Sequence, residues 1–129
     1  MFTRITLQWQ GKANEDINTQ LQWLCQSIGL FTARDYDSSL YRLFIELIKD
    51  AKIVHYSTSD ELAERIDLTR GTVIHHLNKL MDAGIVIRQK NYYILKEKDV
   101  KKLVVSMRSD INEFFDEIEK SAEKIDRLL

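Results

Sequence analysis

The sequence is poor in cysteine and has no long apolar run. Cys25 is the single cysteine, which excludes an internal disulfide and a zinc site of four thiolates and is typical of a protein of the reducing cytoplasm. No apolar run approaches the roughly 20 residues that a membrane-spanning helix requires. The first ten residues also lack the continuous apolar core of a signal peptide. These absences predict a cytoplasmic protein that has no contact with a membrane.

The sequence also lacks the patterns of catalytic chemistry. It has only four glycines and no glycine-rich loop that could cradle a phosphate, and it shows no nucleophile beside a base and no carboxylates at metal-ligand spacing. His75 and His76 are adjacent, and neighbouring helical residues diverge by about 100°, so the two rings do not form a metal site. We therefore expect a protein that is not an enzyme and that uses no metal and no cofactor.

The formal net charge of −1 hides a gradient along the chain. Residues 1–51 carry 5 Lys and Arg against 6 Asp and Glu, residues 52–108 carry 11 against 7, and residues 109–129 carry 3 against 7. A basic centre is what contact with phosphates requires, and an acidic tail should lie away from them.

The first half of the chain is predicted to contain two helices, with a strand before them and a short strand after them. Apolar residues alternate with polar ones from Thr3 to Gln10, which favours an edge strand. A helix is predicted from Asn14 to Gly29, and a second helix from a cap at Asp37 or Ser38 to about Ala51. The β-prone stretch 53–56 is predicted to add a third strand to a small sheet.

Within residues 58–95 the sequence carries the signals of two helices and then those of two short strands. Thr58 and Glu61 form a capping box at the start of one helix, and Thr69 can cap the next helix, which ends at Gly84. Two short β-prone stretches, 85–87 and 92–95, follow around a polar tip at residues 89–91. The order is helix, short turn, helix and hairpin.

This stretch, TSDELAERIDLTRGTVIHHLNKLMDAGIVIRQKNYYIL, resembles the winged helix-turn-helix of the ArsR/MarR-type regulators of prokaryotes, in particular the archaeal type. The resemblance covers about a third of the chain. It implies a mainly α fold with a small β-hairpin wing, and a protein that binds double-stranded DNA and regulates transcription. The wing tip lacks the usual glycine, and no cysteine lies in the first helix of the motif, so metal sensing is not expected.

The second helix of the motif has an apolar face and an opposite polar face, and the polar face is free to enter the major groove. His75 and Asn78 are the best candidates for reading bases, and Ile74 can pack on a thymine methyl group. Phosphate contacts are expected from the first turn of this helix and from the wing. The predicted DNA-binding residues are Thr69, Arg70, Gly71, Thr72, Ile74, His75, Asn78, Lys79, Arg88, Lys90 and Asn91.

From Asp99 onward the apolar residues follow the alternating three-and-four spacing of a coiled coil. A helix of roughly 30 residues would be about 45 Å long, which is too long to bury its apolar stripe against so small a domain. We predict that it pairs with a second copy in a homodimer. The alternative is that it folds back on the helices of residues 14–51. The predicted dimerisation residues are Val104, Met107, Ile111, Phe114, Ile118, Ile125 and Leu128.

The sequence thus divides into an N-terminal strand and helix (1–36), a winged helix-turn-helix (37–97) and a C-terminal amphipathic dimerisation helix (98–129). Trp9, Trp23, Phe31 and Tyr36 are available to bind a small effector or a protein partner, although aromatic residues at helical spacing are more often part of a core. A winged helix can also be a protein-interaction module in a transcription or chromosome-organising assembly. The polar and basic outward face of residues 70–79 favours DNA.

Overall fold

The computed structural model describes residues 2–11, 16–30 and 38–129. Three strands of this part form one antiparallel sheet in the order β1-β3-β2, with Ser57 opposite Tyr93 and Val86 opposite Leu95. The mainly α fold with a small hairpin wing and a long C-terminal helix is confirmed. The helices and strands are α1 (Ile17–Ser27), α2 (Ser39–Ile53), β1 (Ser57–Thr58), α3 (Ser59–Arg65), α4 (Arg70–Asp82), β2 (Val86–Gln89), β3 (Tyr92–Leu95) and α5 (Val100–Leu128).

One apolar core joins all three segments of the sequence. It contains Cys25 of α1 and Leu30 just after this helix, the apolar face of α2, the inward faces of α3 and α4, and apolar residues of β2 and β3. Leu103 and Met107, from the beginning of α5, complete it. Helix α1 and the first turns of α5 are therefore part of the same folded unit as the helix-turn-helix.

The predicted strand at residues 53–56 is wrong in position. Helix α2 continues to Ile53, and Val54 follows in the left-handed conformation at φ 54°. The chain then turns, and the third strand of the sheet is the two-residue β1, paired with β3. A buried network holds β1 in place: Ser57 Oγ donates to Asp50 Oδ2 of α2 at 2.7 Å, and Arg65 of α3 donates to Asp50 Oδ1 at 3.0 Å.

The predicted edge strand at residues 3–10 is also wrong. Among the residues that the structure describes, this segment pairs with no strand; instead it crosses the ends of two helices. The amides of Thr3 and Arg4 donate to the carbonyl of Asp82 in α4 at 2.6 and 2.9 Å, and the amide of Gln8 donates to the carbonyl of Ser27 in α1 at 2.8 Å. The alternation of apolar and polar residues thus occurs in an extended segment that packs on helix ends.

Helix α5 begins in the core and ends outside it. Asp99 caps it, accepting a hydrogen bond from the amide of Lys102, and Lys96 is paired with Asp110 at 3.4 Å. Residues 112–129 are exposed throughout. The helix has 29 residues, so it is about 43 Å long. The single long helix predicted from Asp99 is confirmed.

Candidate nucleic-acid interface

Capping hydrogen bonds set the beginnings of α3 and α4. The hydroxyl of Thr58 accepts from the amide of Glu61 at 3.2 Å, and the hydroxyl of Thr69 accepts from the amide of Thr72 at 3.2 Å. Each bond satisfies an amide that has no partner within its helix. Asp67, at φ 54°, makes the tight turn between the two helices, and Gly84, at φ 74°, ends the segment after α4. The caps predicted at Thr58 and Thr69 are confirmed. Ser38 precedes α2, but its side chain forms no capping hydrogen bond, and Asp37 lies outside the described residues.

Helix α4 is held by its apolar face and by a polar contact at the edge of that face. Val73, Leu77 and Leu80 are fully buried. His76 lies at the edge of this face, where its Nε2 is 2.5 Å from Ser39 Oγ of α2. It is a hydrogen-bonded structural residue. These contacts fix the rotation of α4 about its axis and therefore which residues it turns outward.

The outward side of α4 carries most of the predicted DNA-binding residues. Arg70, Gly71, His75, Asn78 and Lys79 are exposed, while Thr72 and Ile74 are half-buried at the edges of this side. Thr69, at the cap, is also exposed. Arg70 lies 3.4 Å from Asp60 of α3, and both side chains are about 70% exposed, which leaves the guanidinium accessible to a phosphate. The fold brings these residues together on one surface, named here the α4 face.

Gly71 has no structural reason to be glycine. A Cβ added to it would meet no atom within 4 Å, and its φ is not in the left-handed region. Glycine within a helix costs roughly 0.5 to 1 kcal/mol relative to alanine. A close approach of another molecule to the backbone would explain the glycine.

We expect Gly71→Ala to stabilise the protein by up to about 1 kcal/mol while weakening its binding to DNA, because the added methyl group would stand between the helix backbone and a phosphate. Thermal unfolding and fluorescence anisotropy with a labelled duplex measure the two effects. Ser109→Ala, on the exposed side of α5, is the control for a helix-stabilising change away from the α4 face. If Gly71→Ala left the affinity unchanged, no such close approach would occur.

The wing is a hairpin with a two-residue tip. Gln89 pairs with Tyr92, so Lys90 and Asn91 form the loop, and Lys90 adopts φ 56°. This is the backbone conformation for which glycine is usual in such tips. Arg88 Nε donates to the carbonyl of Lys90 at 2.9 Å, and its guanidinium carbon lies 5.8 Å from the centroid of the Tyr93 ring. Arg88, Lys90 and Asn91 are all exposed, and Arg88 is held in one direction across the hairpin.

One part of this surface was not predicted from the sequence. Residues 4–8 lie beside the second half of α4, and together with residues 28–30 after α1 these segments line a cavity of about 550 Å³. Arg4, Thr6 and Gln8 line one wall, while His75, Asn78 and Lys79 line the other. No local signal could have revealed this contact, because it depends on where the N-terminal segment crosses the end of α4.

Of the aromatic residues proposed for an effector or partner site, only Trp9 and Trp23 lie in the described part of the chain. Trp9 is 85% exposed, and Trp23 is half-buried, with its ring nitrogen donating to the carbonyl of Gly11 at 3.0 Å. Phe31 and Tyr36 lie outside the described residues.

The single cysteine is inaccessible. Cys25 is fully buried, and burial raises the pKa of its thiol to about 12, so the thiol stays protonated and unreactive. Among the residues that the structure describes, no three His, Cys, Asp or Glu side chains are grouped so that they could hold a metal ion.

The capped helix pair, the exposed α4 face and the adjoining hairpin define a winged helix-turn-helix DNA-binding protein. Residues 57–88 match the family described as bacterial regulatory protein, arsR family. The helix-turn-helix of this chain is therefore of the ArsR-like type, and the protein is a DNA-binding transcriptional regulator. The comparisons with curated proteins and with solved structures found no match. No helix in the described residues is both long enough and apolar enough to cross a membrane.

Proposed function

We propose that this protein is a homodimeric regulator that recognises a specific sequence of double-stranded DNA. The α4 face is the observation that carries this proposal. Its polar and basic side chains project from a helix whose opposite side is fixed in the core, which is the arrangement that a major groove wide enough for one helix can accept. The exposed wing beside it offers Arg88 and Lys90 to the flanking phosphates or the minor groove.

This surface makes two kinds of contact with DNA, one to phosphates and one to base edges. The first turn of α4, with Arg70 and Gly71 at the helix N-terminus, faces a phosphate and sets the register of the protein on the duplex. His75 and Asn78, one turn further along, reach base edges, and an amide can make two hydrogen bonds to adenine. Ile74, half-buried at the edge of the face, keeps part of its side chain available to a thymine methyl group.

We expect Asn78→Ala to relax the sequence preference and to cost roughly 1 to 3 kcal/mol of binding free energy on the preferred site only. Lys90→Ala is the matched comparison, since the loss of a phosphate contact should weaken all duplexes similarly and reduce the salt dependence. Anisotropy titrations with the preferred and a scrambled duplex distinguish the two patterns. Equal losses on both duplexes for Asn78→Ala would show that this side chain does not read a base.

The second copy is proposed to pair along the exposed part of α5. The structure places Met107 in the core of its own chain, with 5% of its surface exposed, so the proposed pairing surface begins beyond it. Phe114, Ile118, Ile125 and Leu128 are between 43 and 83% exposed. Phe115, 60% exposed, widens the stripe.

A lone helix of this kind would expose its apolar stripe to water, and such helices gain most of their stability from covering that stripe. The three-and-four spacing of these residues suits a second identical helix. Two-fold pairing would present two α4 faces to successive turns of a near-palindromic site.

The test is selection of the purified protein against a random duplex library at two salt concentrations, followed by sequencing. Enrichment of a near-palindromic site is the expected result. Weak binding of all sequences that disappears at the higher salt concentration would contradict sequence-specific regulation.

A second candidate function is a protein-interaction module, and one surface favours it. The end of α2 leaves Ile53 and Val54 about three-quarters exposed, and Tyr56 stands beside Tyr92 of the wing with ring centroids 6.1 Å apart. Such an apolar group on the surface is typical of a protein contact. Failure of the selection would favour this function.

A further inference from the structure

The N-terminal segment is anchored to the end of the helix that carries the α4 face. The amides of Thr3 and Arg4 both donate to the carbonyl of Asp82, in the last turn of α4. Phe2 packs against Gly84, and its ring makes an edge contact with Phe114 of α5 at 5.9 Å between centroids. Arg4 is thus held by its own backbone at a defined place beside α4.

The side chain of Arg4 projects to the same side as the α4 face. It lines the cavity of about 550 Å³ together with Asn78 and Lys79. Within the described residues, neither Arg4 nor Lys79 forms an ion pair, whereas Arg65 and Lys96 are both paired with carboxylates. Two cations at one rim, with no ion pair in the described part of the chain, attract an anion, and DNA is the polyanion that the proposed function brings to the adjoining α4 face.

If the end of α4 lies near DNA, a cation there would offset the negative charge of this helix end. The last turn of a helix carries a partial negative charge, and Asp82 adds a full one at this point. Both repel phosphates where the helix leaves the groove. Arg4 and Lys79 are placed to offset this repulsion.

We infer that residues 2–8 are an additional DNA-contacting element, in which Arg4 binds a backbone phosphate at the edge of the groove beside the last turn of α4. This inference rests on the proposed function. The contact would lie at the opposite end of α4 from the phosphate bound by its first turn. Together the two contacts would hold the helix at both ends, with His75 and Asn78 between them.

The test compares full-length Arg4→Gln with the wild-type protein in anisotropy titrations over a range of salt concentrations. In the proposed dimer the variant lacks one phosphate contact in each chain, so it should bind at least about tenfold more weakly at 0.1 M salt, on selected and scrambled duplexes alike, and its slope of log affinity against log salt should fall by about two. Arg4→Lys should restore most of the affinity. Thermal unfolding should be unchanged, because Arg4 is exposed and its guanidinium forms no hydrogen bond or ion pair with any residue that the structure describes.

Arg127→Gln is the control, since it removes the same charge from the exposed last turn of α5. An equal loss of affinity in this control would attribute the effect to net charge and overturn the inference. Unchanged affinity and salt slope for Arg4→Gln, with specific binding by the wild-type protein intact, would overturn the inference and leave the proposed function standing. Absence of specific binding by the wild-type protein would overturn both.

Discussion

A chain that ends after Asn112 is expected to be a monomer and to bind its DNA site roughly 10²- to 10⁴-fold more weakly than the full-length protein, because two linked DNA-binding modules gain this much over one. The truncation removes only residues that are exposed in the structure. It leaves Leu103 and Met107 in the core and keeps the pair between Lys96 and Asp110. The helix-turn-helix should therefore remain folded, and sedimentation should show one chain in place of two.

A double substitution tests the pairing surface without shortening α5. Ile118→Glu with Ile125→Glu places two charges on the apolar stripe and should give the same monomer, whereas Asn112→Glu, on the outward side, should leave the dimer intact. An unchanged sedimentation coefficient for both the truncated chain and the double variant would show that α5 is not the pairing surface.

Asp50→Ala is expected to lower the free energy of unfolding by about 3 kcal/mol, a large part of the stability of a domain of this size. Asp50 is 5% exposed, and its carboxylate accepts from Ser57 of β1 and from Arg65 of α3. Arg65 also donates to Ser57 Oγ at 2.8 Å, so the three side chains form one network between α2, β1 and α3. Removing the carboxylate leaves a buried hydroxyl and a partly buried guanidinium without their main acceptor.

Denaturant unfolding measures this loss, and Glu46→Ala is the matched control. Glu46 contacts the same guanidinium at 3.4 Å from a more exposed position, so its loss should cost less than about 1 kcal/mol. The double variant Asp50→Ala with Arg65→Met should be more stable than the sum of the single losses predicts, because it removes both charges of the pair. Comparable losses for Asp50→Ala and Glu46→Ala would show that the buried network contributes no more than a surface ion pair.

The helices and the wing could be predicted from the sequence because their signals are local. Thr58 and Thr69 satisfy amides three residues away, Gly84 accommodates a positive φ, and the spacing of Val73, Leu77 and Leu80 defines a buried helix face. Each signal acts within one or two turns of the chain. The polar side of α4 follows from the same spacing, so the candidate DNA-binding residues on that helix were accessible to sequence reasoning.

The two strand predictions failed because a strand requires a partner, and alternation or β-branched residues alone cannot supply it. Ile53 continues α2 as its last residue, and Val54 takes the left-handed conformation that ends the helix. Residues 3–10 alternate as a strand does, but their amides donate to the carbonyls of Asp82 and Ser27 at helix ends. The packing of the helices decides which backbone groups an extended segment can reach to form hydrogen bonds.

The sequence by itself therefore determined the helix-turn-helix, the wing and the long C-terminal helix, since caps, turns and apolar spacing act over a few residues. The tertiary structure alone decided that Met107 belongs to the core of its own chain, that Asp50 joins β1 to α3, and that Arg4 stands beside Asn78 and Lys79. These relations join residues far apart in the chain, and they arise because burying the shared apolar core fixes how the elements lie against one another.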